Sequence, residues 1–160
     1  MEKEKKRFNW KVFIICLAVI AFVALLGSFY TSKGTSSSWY QEIKPSITPP
    51  NYVFPIAWNI LFFLIALSLY FGWQGAQYIE DKKEVFIIYG VNFLLNVLWS
   101  AVYFGMRNPE QAFYGLGLLW ISIVYVMIKV DKYDRKSVYL LIPYLAWVSF
   151  AGVLNYLSAF

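Results

Sequence analysis

The chain has 160 residues, of which 60% are hydrophobic and 21% aromatic, with charged residues at only 14% and a net charge of +5. That balance is far more apolar and less charged than a water-soluble domain carries. Histidine is absent, which excludes His-based catalytic triads, His-ligated haem and most zinc sites.

Acidic and basic residues are missing from five long runs, at 12–30, 51–79, 85–106, 111–128 and 137–160. Each is about 18 residues or longer, enough to cross roughly 30 Å of hydrocarbon as helix. The expected fold is an all-α integral membrane protein, a bundle of five transmembrane helices forming one membrane domain over 1–160. The first span, roughly 10–30, follows a charged flank, MEKEKKR, and carries Trp10 and Tyr30 near its ends, where interfacial aromatics belong. Its apolar run exceeds the roughly 7–15 residues of a signal core and no A-x-A site follows, so it is expected to remain as a span.

Residues 31–51 are expected as a loop, and the stretch around its end organises the chain. From Trp39 to Trp58 the sequence reads WYQEIKPSITPPNYVFPIAW, with Pro45, Pro49, Pro50 and Pro55 among the six prolines. Proline fixes φ, lacks an N–H and restricts the residue before it, which implies a semi-rigid, aromatic-bearing loop at the membrane surface. Pro55 falls in the first turn of the second span, where a missing N–H costs nothing. That span runs roughly 52–78 and the charged link 80–84 leads to the third, roughly 85–106. A short turn, RNPE, opens the fourth at roughly 111–129, and a basic link leads to the fifth at roughly 137–158, which contains Pro143.

Orientation follows from Lys and Arg in the flanks. Lys3, Lys5, Lys6, Arg7, Lys11, Lys82, Lys83, Lys129, Lys132, Arg135 and Lys136 fall on one side, against Lys33, Lys44 and Arg107 on the other. The positive-inside rule places the amino terminus in the cytosol and the carboxyl terminus and loop 31–51 outside. This bias accounts for the net charge without nucleic acid. The basic links can meet anionic membrane lipid.

No carboxylate lies within the charge-free runs, which leaves a proton relay without residues to use. What remains inside is aromatic rings, small residues and amides. Asn92, Asn96, Trp99 and Tyr103 share one helical face of the third span. Trp58 and Phe62 pair on the second, and Tyr144, Trp147, Ala151 and Asn155 form a stripe on the fifth. Two readings stand for these residues. The asparagines can be interhelical glue and the tryptophans packing or interfacial anchors, or the stripes can line an apolar small-molecule pocket. Ala101 and Gly105 form a small-xxx-small pair suited to close helix packing or a homodimer face.

Three blocks, WYQEIKPSITPP followed by Trp58, NFLLNVLWSAVYF, and LIPYLAWVSFAGVLN, resemble the tryptophan-rich sensory protein (TspO) family, related to the mitochondrial translocator protein or peripheral-type benzodiazepine receptor. Ile47 departs from the usual KPSWTPP, and the carboxyl end lacks the basic residue of the proposed cholesterol pattern. The resemblance implies a five-helix bundle, often dimeric, that binds porphyrins such as protoporphyrin IX and haem, and benzodiazepine-site ligands. Carried across by motif, Tyr40, Pro49 and Pro50 would belong to a lid formed by loop 31–51. Trp58 and Phe62 would form one wall, Asn92, Leu95 and Trp99 a second, and Trp147 and Ala151 a third. No cofactor or bound metal is expected. Some relatives resemble photo-oxidative degraders of protoporphyrin IX, which would make Trp58 and Trp147 candidate catalytic indoles. A third expectation is a structural accessory protein without a small ligand.

Overall fold

The structure, a computed structural model, describes residues 8–160. The basic flank with Lys3, Lys5, Lys6 and Arg7 lies outside the described residues. Five long helices are apolar enough to cross a membrane: α1 (Trp10–Thr35), α3 (Val53–Gly75), α4 (Ile79–Ser100, continued by a π-helical turn over Ala101–Gly105), α5 (Pro109–Asp131) and α6 (Arg135–Ala159). A short α2 (Ser38–Ile43) lies between the first two. No strand occurs among the described residues.

The helix starts follow local chemistry. The Asn9 side chain accepts from the Val12 N–H at 3.3 Å, Asn108 from Gln111 at 3.0 Å and Asp134 from Lys136 at 2.9 Å. Each supplies an acceptor to a donor that the helix cannot satisfy internally. Pro109 takes the first position of α5, where its missing N–H is harmless.

The stretch 31–51 corrects the sequence expectation of a loop throughout. α1 continues to Thr35, and Thr31 and Thr35 hydroxyls bond carbonyls four residues back. Ser37 then caps α2, accepting from the Tyr40 N–H at 3.2 Å. Prolines control only the chain they touch, and the first is Pro45. From Lys44 the backbone is extended, then turns through Thr48 N–H to Pro45 and Val53 N–H to Pro50. The stretch 31–51 is therefore the end of α1 and a short helix followed by a proline strap.

α1 packs on α3, α3 on α6, α6 on α5, α5 on α4, and α4 back on α1, with α3 and α4 also meeting across this ring. One end carries the strap; the other carries the basic links. At the basic end Glu84 of α4 accepts from the Tyr133 hydroxyl at 2.5 Å and pairs with Lys129 at 3.0 Å and Lys132 at 2.5 Å. Burial, then the hydrogen bond to Glu84, pushes the Tyr133 phenol up to about 12, so it stays a neutral donor.

At the strap end Arg107 adopts φ 53°, and the reversal lets the Asn108 N–H reach the Val102 carbonyl at 3.2 Å. The close approach made possible by Gly105 is filled within the chain. A Cβ there would sit 2.9 Å from the Tyr30 ring of α1, so this glycine serves an α1–α4 contact, the close helix packing that the small-xxx-small pair suggested.

Gly75 ends α3 against the α5–α6 link, where a Cβ would lie 2.4 Å from the Tyr133 carbonyl oxygen. Backbone cannot yield as a side chain can. Gly75→Ala is expected to lower the thermal unfolding midpoint in detergent. Gly90→Ala, with nothing within 4 Å of the added carbon, is expected to hold or raise it.

Candidate functional site

Three polar seams run through the bundle at different depths. Nearest the basic end, Ser68 on α3 donates to the Ser137 carbonyl of α6 at 2.7 Å, and Ser137 donates back to the Ser68 carbonyl at 2.9 Å. The Tyr89 hydroxyl of α4 lies 2.6 Å from the Ser68 hydroxyl. Because Ser68 spends its proton on Ser137, Tyr89 is the donor. All three side chains are buried.

At mid-depth the Asn96 amide donates to the Tyr144 hydroxyl at 3.1 Å, and Tyr144 donates to the Asn92 carbonyl oxygen at 3.3 Å. Asn92 donates to Ser122 at 2.8 Å, and Ser122 to the Leu119 carbonyl at 2.7 Å. One directed chain thus ties α4, α5 and α6. Both ends of the Asn92 amide are engaged, and Tyr144 is 1% exposed. The glue reading of these asparagines describes this geometry.

Towards the strap, the Trp99 indole donates to Asn155 at 3.1 Å, and Asn155 donates to the Pro109 carbonyl at 2.7 Å. Tyr103 donates to Ser158 at 2.9 Å.

The expected wall residues take up a consistent position. Trp58, Phe62, Leu95, Trp99, Trp147 and Ala151 are all half-buried and pack against one shared apolar core. Trp58 lies 5.2 Å from Phe62 and 6.2 Å from Tyr144, centroid to centroid, while Trp147 lies 6.0 Å from Phe54. These are ordinary edge and tilted ring contacts. The rings meet along the line where α3 faces α6, above the asparagine–tyrosine chain.

The residues expected in a lid divide. Tyr40 is buried in a second cluster with Tyr103 and Ala112, its ring 5.7 Å from Phe104, so α2 seats on the end of α4. Burial, with the Tyr103 phenol adding, pushes the Tyr40 phenol up to about 12. Pro49 is half-buried and Pro50 exposed in the strap. Sequence reasoning missed Thr48, directly before Pro49. Its hydroxyl oxygen is buried and, among the described residues, has no hydrogen-bond partner. No sequence signal marks it, because a threonine in a proline-rich turn reads as surface. Two open grooves flank α6: about 670 Å³ against α5, around Gly117 and Gly152, and about 480 Å³ against α3, bordered by Trp147.

A family model described as TspO/MBR matches residues 14–159, from Ile14 of α1 onward through the strap to the end of α6. The chain belongs to the TspO/MBR family. It is 36% identical to the tryptophan-rich protein TspO of Chlorobaculum tepidum, covering 89% of this chain and 90% of that one. It is 36% identical to TspO of Archaeoglobus fulgidus over 88% of this chain and 89% of the relative. Human translocator protein is 29% identical, over 82% of this chain and 80% of its own. Family membership and five apolar spans together make this an integral membrane protein.

Tyr144→Phe removes the hydroxyl that joins Asn96 to Asn92 and leaves a buried amide unpaired. The expected loss is about 1–3 kcal/mol, read as a lower unfolding midpoint in detergent, with the helix content of the folded protein unchanged.

Proposed function

We propose that this TspO/MBR member is a receptor- or transporter-like protein that binds a porphyrin, protoporphyrin IX or haem, against its α3–α4–α6 aromatic wall, and takes benzodiazepine-site ligands at the same place. The observation that carries the reading is the half-burial of Trp58, Phe62, Trp99 and Trp147 on one core, together with an unpartnered buried hydroxyl at Thr48 in the strap. Fully committed core rings would be sealed; these keep a face free. A flat macrocycle suits such faces, each ring contact contributing on the order of 1 kcal/mol beyond burial. Thr48 supplies a hydrogen-bonding group for a ligand's polar edge, and Pro49, Pro50 and Tyr40 hold the lid. Asn92 acts behind the wall as frame, since its amide is already engaged.

With no histidine in the chain, haem iron lacks its commonest axial ligand, so recognition rests on the ring. The basic links orient the protein with its amino terminus cytosolic and the strap outside.

Protoporphyrin IX titration in the dark, followed by tryptophan quenching, is expected to saturate and to weaken in a Trp58→Phe, Trp147→Phe double variant. Haem is expected to bind with similar affinity; much tighter haem binding would overturn ring-based recognition. Repeating the titration under light tests the degradative alternative: loss of porphyrin absorbance that depends on Trp58 and Trp147 would favour an enzyme.

A further inference from the structure

α3 and α6 are joined unevenly along their length. At the basic end the reciprocal Ser68–Ser137 pair clasps them, with Tyr89 bonded onto it. In hydrocarbon no water replaces such bonds, so this end resists opening. Towards the strap, the described contacts between the two helices are rings and aliphatic chains, such as Phe54 on Trp147 and Trp58 on Tyr144. Such contacts part at little cost where lipid tails or another apolar surface take their place.

The same half carries a groove of about 480 Å³, with Ala57 and Ile60 on the α3 side and Ala146, Trp147 and Phe150 on the α6 side. The two alanines leave the seam unfilled. Pro143 also borders it, inside α6, and its missing N–H leaves the Tyr139 carbonyl without its helical partner. The turn at Pro143 is thus the softest in α6, and it lies between the clasp at Ser137 and the ring of Trp147. Trp147 belongs to both sides, bordering the groove and packing on the core.

The geometry points to a lateral portal: a flat, apolar ring ligand dissolved in the bilayer passes between α3 and α6 at Ala57–Ala146, with Trp147 as the leaf and Pro143 as the hinge, while the Ser68–Ser137 clasp stays shut. The inference rests on the ligand reading above and adds the route by which that site is reached. A portal changes the height of a barrier without changing the end states. Obstructing it therefore slows association and dissociation by the same factor and leaves affinity unaltered.

The test uses the full chain in liposomes and stopped-flow tryptophan quenching by protoporphyrin IX. Ala57→Leu with Ala146→Leu fills the groove with side chains suited to a lipid-facing surface. Both rate constants are expected to fall by about tenfold with Kd unchanged. Phe150→Ala widens the passage and is expected to raise both rates, which keeps the test decisive if the filled variant does not fold. Gly117→Leu, in the other groove, is the control and is expected to leave both rates as they are. Binding with unaltered rates in the filled variant, equal slowing by Gly117→Leu, or a weaker Kd with faster dissociation would each overturn the portal. Absence of saturable quenching in the unsubstituted protein would instead overturn the ligand reading, and the portal with it.

Discussion

The structure depends on one constraint: inside hydrocarbon, a polar side chain must find its partner in another helix. The buried serines, asparagines and tyrosines of this chain obey it in three seams, at Ser68–Ser137–Tyr89, at Asn96–Tyr144–Asn92–Ser122 and at Trp99–Asn155. Apolar burial cannot hold these helices together, since lipid tails solvate leucine as well as another helix does. Each such bond is worth on the order of 1 kcal/mol, but each also fixes depth and rotation. Between them they specify which face of α3, α4, α5 and α6 points inward.

The candidate site is what this scaffold leaves incompletely closed. The asparagine–tyrosine chain seals the middle of the bundle, and the tryptophans above it retain partial exposure. The strap, stiffened by its prolines, carries the buried and unsatisfied Thr48 hydroxyl. The ends also differ. Glu84, held by Tyr133, Lys129 and Lys132, anchors the basic links with charge, whereas the strap end has ring contacts, the neutral Trp99–Asn155 and Tyr103–Ser158 hydrogen bonds and glycine clearances at Gly34 and Gly105.

Much of the fold was legible from the sequence. Charge-free runs located five spans, because a single unpaired charge in hydrocarbon is too costly to hide. Three motif blocks pointed to the family, and the family model covers them. The α2 helix was not legible, since a serine-rich run ahead of prolines carries no apolar period. The π-helical turn at Ala101–Gly105 was equally silent, because backbone register is set by what packs around it.

For the site, the sequence by itself determined which residue types share a face: Asn92, Asn96 and Trp99 on one helix, Trp58 and Phe62 on another, Tyr144 and Trp147 on a third. Helical periodicity is a local property and needs no partner to be read. Only the tertiary structure decided what those faces do. It spent the Asn92 amide on Ser122 and Tyr144, set Gly105 against Tyr30, and left Trp147 between the core and an open groove. Partnership depends on how helices distant in sequence rotate against one another, and that rotation is fixed by all the buried polar groups jointly.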